Sequence, residues 1–134
     1  VLIQIILGAL LAGLNGGLLY NSWPDMNGNF LPSDISTADL YNSKFLNNPS
    51  IVQFYHRLIA YIIIIFLIIL NYFFYNNKIR SKSIIFLNLA IFLQVMLGVI
   101  TLITGVKIYY ASLHQLGSVF VLTSFLYIFY KNVS

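Results

Sequence analysis

Residues 62–70 read IIIIFLIIL, nine side chains without a polar atom among them. A helix that is apolar on every face has no side to give to water, so it belongs in a protein core or in a lipid bilayer. The rest of the chain selects the bilayer. Crossing the hydrocarbon takes about 20 mostly apolar helical residues, and four stretches reach that length: residues 1–20, 51–75, 83–104 and 108–130. Lipid offers no partner to backbone N–H and C=O groups, and no alternating barrel pattern is present, so each stretch is expected to be helical. Only 7% of the 134 residues are charged and 60% are hydrophobic, too little charge to cover a water-soluble domain of this size. The expected fold is an all-α integral membrane bundle of four helices, forming a single domain over residues 1–134.

The basic residues orient it. Lys78, Arg80 and Lys82 lie between the second and third stretches and Lys131 ends the fourth, which puts these ends in the cytoplasm by the positive-inside tendency. The loop over residues 21–50, with Asp25, Asp34 and Asp39 against Lys44, then faces outward. Trp23, Phe54, Tyr55, Tyr109 and Tyr110 mark the outer interface, and the aromatics of 72–75 and 127–130 the inner one. A net charge of +4 would suit nucleic acid, but these cations punctuate apolar runs and build no patch. Without cysteine, disulfides, zinc–thiolate sites and iron–sulfur clusters are excluded.

Two loose ends concern the first stretch and the long loop. The apolar run at Val1 has neither the basic start nor the cleavage site of a signal peptide, so the expectation is the tail of a longer chain. In the loop, Ser33 or Asp34 offers a helix cap, and a short interfacial helix is expected over 35–46. Its apolar Ile35, Ala38, Tyr41 and Phe45 would fall near one face. Such a loop could cover a binding pocket or serve as a structured connector.

The chain also repeats itself. LIQIILG at residues 2–8 lies over FLQVMLG at 92–98, pairing Gln4 with Gln94 and Gly8 with Gly98. FYHRLIA at 54–60 lies over SLHQLGS at 112–118, pairing His56 with His114. The four helices thus read as two pseudo-symmetric pairs.

The two histidines are the chemistry the pattern offers. An ionisable residue in a membrane span usually faces the bundle interior or a functional site. Each histidine lies near the outer end of an even-numbered helix, so the two imidazoles reach similar depth. Zinc would ask for three or four protein ligands, and no Cys or Glu completes such a set. Haem iron asks for two axial ligands, which His56 and His114 could supply. Ala60, one turn beyond His56, and Gly117 and Ser118, one turn beyond His114, would leave room for a flat macrocycle. Arg57 could pair with a haem propionate at the outer face, or simply reach to the interface. A pair of histidines bonded only to their neighbours in a structural anchor remains the alternative.

The segments AGLNGGLLYNSWPDMNGNFLP, VQFYHRLIAY, FLQVMLGVITLITG and LHQLGSV together resemble the C-terminal half of the haem A synthase family. The resemblance runs over nearly the whole chain, with YNSWPDMNG and the HR and HQ pairs as its most specific elements. It implies eight transmembrane helices in two pseudo-symmetric halves, of which this chain would be the last four. It implies an oxidoreductase that converts a methyl group of haem O into the formyl group of haem A for cytochrome oxidase, and the low Ala with abundant Ile and Asn points to a bacterial inner membrane as its location. It also implies dependence on the missing N-terminal half, haem O synthase as a partner, and haem b held here by His56 and His114. In the family's other half a glutamate stands three residues before the histidine; here that position is Gln53. With no Glu in the chain and every Asp in the outer loop, no residue here is assigned a catalytic role, and the resemblance implies a cofactor half. A b-type cytochrome subunit passing electrons in a quinone-linked complex is the other function this pattern would fit.

Overall fold

The computed structural model describes residues 1–41, 45–79 and 81–133. It is all helical apart from a single bridge between Met26 and Asn29. Four α-helices follow one another: α1, Leu2–Gly13; α2, Pro49–Asn76; α3, Lys82–Ile103; and α4, Ile108–Val133. The last three are long and apolar enough to cross a membrane. Their side chains are exposed around most of the circumference, including Ile65, Ile68, Phe92 and Phe120, as lipid-facing helices require. The chain is an integral membrane protein.

Local chemistry sets the helix ends. Asn48 caps α2, its side-chain oxygen accepting from the N–H groups of Ser50 and Ile51, with Pro49 in the first turn. Ser81 caps α3 by accepting from Ser83 N–H. The expected first span to residue 20 is corrected: α1 stops at Gly13. Asn15 takes the left-handed conformation, with φ of 52°, and starts a 3-10 turn at Gly16–Leu18. Left-handed backbone cannot continue a right-handed helix. The expected loop helix is not continuous either. Residues 35–38 are non-helical, and single 3-10 turns occur at Asp39–Tyr41 and Phe45–Asn47. Asp34 caps nothing there because its carboxylate accepts from Tyr20 and Ser50 instead. Residues 42–44, the Tyr41 side chain and Arg80 lie outside the described residues, and with them Lys44 and part of the expected basic loop.

Packing is strongest within α1–α2 and α3–α4 and slight between α2 and α3. A buried cluster of Phe74, Ile84, Leu87, Ile91 and Val121 joins the helices at the end carrying Lys78 and Lys82. Nearby, Asn71 and Asn88 exchange two amide hydrogen bonds of 2.8 and 2.7 Å. Each such bond in lipid is worth about 0.6 kcal/mol, so the pair fixes the register of α2 against α3 more than it stabilises them.

The long loop folds back over the opposite end. Tyr20 donates to Asp34 at 2.5 Å and Ser50 donates to the same carboxylate at 2.6 Å. Tyr20, Met26 and Phe54 are buried together, with Phe30 edge-on to Phe54 at 5.8 Å. Phe54 is therefore covered by the loop and does not stand at the lipid interface. Asn21 reaches across to Leu102 O at 2.9 Å, tying the loop to the end of α3.

Candidate functional site

His56 is seven residues after Pro49 and His114 six after Ile108, so at 1.5 Å per residue both lie about 10 Å into their helices. The structure brings them together: their ring centroids are 6.4 Å apart and their planes meet at 80°. Two residues separated by 58 positions converge because α2 and α4 run in the same direction from the loop-covered end.

Each imidazole rests on the preceding helix. Gln4 on α1 donates to His56 O at 2.9 Å, and Gln94 on α3 donates to His114 O at 2.8 Å. A Cβ on Gly8 would lie 3.2 Å from His56 Cε1, and one on Gly98 would lie 2.9 Å from His114 Cε1. His114 Nδ1 is 3.1 Å from the backbone carbonyl of Gln94. A carbonyl only accepts, so Nδ1 carries the proton and Nε2 keeps its lone pair. His56 Nε2 is 3.3 Å from the Gln4 amide nitrogen, which only donates, so its lone pair is on Nε2 as well.

Arg57 points into the loop. Its Nη1 donates to Ser22 O at 3.0 Å and Asp25 O at 2.6 Å, and its Nη2 to Tyr20 O at 2.8 Å. The Nε–H is buried with no partner. Gln53 is also buried and donates to Tyr20 O at 3.0 Å, leaving its own Oε1 unmet. Tyr61 donates to Pro24 O at 3.0 Å. Arg57, Gln53 and Tyr61 thus hold residues 20–25 as a floor beside the histidines.

The small residues divide. Ala60 is half-buried on α2. Ser118 donates to Gln115 O within its own helix. Gly117 does not open a slot: a Cβ there would run into Gln94 Oε1, so its bareness admits the Gln94 carboxamide. The close-fitting glycines at the imidazoles are Gly8 and Gly98, with Gln4 and Gln94 beside them. They are absent from the sequence-derived site, although the repeat had aligned them at a spacing of four, which is one helix face.

Among the described residues, six buried side-chain polar atoms have no hydrogen-bond partner, and five belong to Gln4, Gln53, His56, Arg57 and Gln94. Unmet polar groups are rare in folded interiors, and here they are concentrated around one pair of imidazoles. Outside the spans, Asp34 has a carboxyl held below its ordinary value. Burial acts to raise it, but the hydrogen bonds from Ser50 and Tyr20 together prevail.

Comparison with known proteins adds to this geometry. The family described as cytochrome oxidase assembly protein matches residues 1–126. A haem A synthase of Pelagibacter ubique is 54% identical over 132 residues, covering 98% of this chain and 39% of its own length. One of Rickettsia rickettsii is 38% identical over 133 residues, with 97% and 39% covered. One of Rickettsia bellii is 42% identical over 123 residues, with 90% and 36% covered. The chain therefore spans about two fifths of the length of these relatives. No solved structure matches it.

Proposed function

The chain belongs to the cytochrome oxidase assembly protein family, and from that premise we propose that it is the haem-holding, C-terminal part of a haem A synthase. The whole protein would oxidise a methyl group of haem O to the formyl group of haem A, in a bacterial inner membrane. Residues 1–134 would form one four-helix domain of two pseudo-symmetric pairs. The loop over 21–50 would face outward and both ends of this chain inward.

The cofactor would be haem b, held by His56 and His114, and the observation that supports this is the convergence of the chain's two histidines on one place. The two imidazoles converge from different helices to 6.4 Å between ring centroids. At His114 the proton on Nδ1 leaves the Nε2 lone pair open; at His56 the Nε2 lone pair accepts from Gln4, which would have to yield to a metal. Ala60 and Ser118 would border the macrocycle, and Gly117 would serve it indirectly by admitting Gln94. Arg57, with Nε–H unpaired, would receive a propionate while keeping its bonds to the loop.

When bound, the haem supplies one-electron redox chemistry. The chain's own part is to hold the iron ligands, orient them and keep water out. His56 and His114 would hold the iron, Gln4 and Gln94 bond the histidine backbones, and residues 20–25 would close the outer end. No carboxylate faces the imidazoles from the described part of this chain, so haem O would be oxidised by residues beyond it. Haem O synthase would deliver the substrate.

Deleting the parent gene and extracting the membrane haems tests the reading. Loss of haem A with accumulation of haem O is expected. Unchanged haem A would reject it, and loss of a quinone-linked reductase activity instead would favour a b-type cytochrome subunit.

A further inference from the structure

The two glutamines are difficult to explain as packing. A carboxamide in a membrane span is costly to desolvate unless its hydrogen bonds are met, and Gln4 and Gln94 each leave Oε1 buried and unpartnered. A leucine would fill the same space at no such cost. What the carboxamides do is reach the next helix at the histidine itself: 2.9 Å to His56 O and 2.8 Å to His114 O. Four residues on, on the same helix face, each glutamine is followed by a glycine against the imidazole edge. A side chain at Gly98 would meet Cε1, Nδ1 and Nε2 of His114 at 2.9, 3.4 and 3.5 Å; one at Gly8 would meet Cε1 and Nδ1 of His56 at 3.2 and 3.7 Å. The glycine at 98 lets the His114 ring come close enough for Nδ1 to reach the Gln94 carbonyl at 3.1 Å.

We infer that Gln94 with Gly98, and Gln4 with Gly8, are positioning residues that set the register, depth and tautomer of His114 and His56. This rests on the two histidines being the iron ligands. The carboxamide fixes where the histidine's backbone stands along its neighbour. The glycine fixes how near the ring may come. At His114 the backbone carbonyl of Gln94 holds the proton on Nδ1 and so leaves the lone pair on Nε2. Gly117 belongs to the same device, because a side chain there would displace Gln94 Oε1.

The test uses the haem-loaded full-length protein in detergent, with Gln94→Leu, Gly98→Ala, Gln4→Leu and Gly8→Ala. Asn88→Leu serves as a control that breaks an interhelical amide pair elsewhere. Four quantities are read: the thermal midpoint, the low-spin haem spectrum, the midpoint potential, and the rate of haem transfer to apomyoglobin. Partners that orient metal-bound histidines typically contribute about 10–100-fold in affinity. Gln94→Leu and Gly98→Ala should therefore release haem at least about tenfold faster and shift the potential, while Asn88→Leu lowers only the thermal midpoint. Should a glycine variant fail to fold, its glutamine partner decides the case. Glutamine variants that behave like Asn88→Leu, with wild-type potential and haem release, overturn the inference. Failure of the ligand assignment itself would look different: His56→Ala and His114→Ala would both keep the low-spin spectrum.

Discussion

The His56 and His114 rings stand 6.4 Å apart with their planes at 80°, although neither side chain hydrogen-bonds the other. The rings meet edge to face, and each is also held from outside the pair. Each ring is aligned by its own partner helix, α1 for His56 and α3 for His114, through the same glutamine-to-carbonyl bond. The convergence is a product of two independent supports meeting.

If the pair holds one iron, replacing either ring with Ala should abolish the six-coordinate low-spin haem. The expected product is a five-coordinate form or empty protein, read from reduced-minus-oxidised spectra and haem stoichiometry. An unchanged low-spin spectrum in both variants would show that the ligands lie elsewhere.

Gly117→Leu should also lose haem, by an indirect route. The new side chain meets Gln94 Oε1, so the Gln94 carboxamide must move, and its bond to His114 O is expected to be lost with it. Gly117→Ala already suffices for that collision. It should weaken haem retention by about tenfold, the range typical of groups that orient a metal ligand. Haem bound at wild-type affinity in both variants would remove Gly117 from the site.

The sequence made the histidine pair legible because two features survive without coordinates: an apolar run interrupted by imidazole, and a repeat that aligns His56 with His114. Three of the four spans are equally visible, since lipid leaves helix as the only solution for their backbone. Where α1 ends was not legible, because Asn15 can sit in a helix or leave it and its neighbours decide. The loop resisted for a related reason. Asp34 looks like a cap in one dimension, but Tyr20 and Ser50, from outside its own turn, claim both its oxygens. Arg57 reads as a propionate partner beside a ligand histidine, and nothing local reveals that three of its bonds go to residues 20–25. The roles of Gln4 and Gln94 were aligned by the repeat yet hidden, since amide bonds to a backbone carbonyl leave no residue pattern at the receiving end.

Arg57→Lys should separate charge from shape. Lysine keeps the positive charge but cannot bond three carbonyls in a planar fork. The floor of residues 20–25 should loosen, with faster proteolytic cleavage in the outer loop by about fivefold, equivalent to roughly 1 kcal/mol at RT of about 0.6. Haem content should fall less than in His56→Ala. Wild-type cleavage rates would mean the carbonyl bonds contribute nothing.

The Asp34 latch should depend on pH in one direction. Its folded carboxyl is held below the ordinary 3.8, since the hydrogen bonds from Ser50 and Tyr20 outweigh the opposing effect of burial. A depressed folded value means the stabilisation is complete above the unfolded value and is lost as pH falls through the lower folded one. Loop protection in the wild type should thus hold at pH 5–7 and collapse only below about 3.8. Asp34→Asn should be more labile than wild type at neutral pH, by no more than about 1 kcal/mol because the group is largely exposed. The two proteins should converge in acid. A difference that widened on acidification would contradict the assignment.

Gln53 separates the cofactor role from catalysis. Its amide donates to Tyr20 O beside the Arg57 bond to the same oxygen, and it lies three residues before His56 on α2. A glutamine there ties the loop but can neither take a proton nor stabilise a cation as a carboxylate would. In the full-length protein, Gln53→Ala should leave most conversion of haem O intact. It should cost about 1–2 kcal/mol in the loop, the usual loss for a buried hydrogen bond. His56→Ala should instead cost haem and stability together. Gln53→Glu sharpens the contrast, because a carboxylate would face the Tyr20 carbonyl with no proton to donate. It should loosen residues 20–25 and confer no new turnover. Haem extraction after growth, alongside occupancy of the purified protein, measures both. If Gln53→Ala abolished conversion at normal haem occupancy, the oxidation would take place at His56 and His114, and the division of labour proposed here would be reversed.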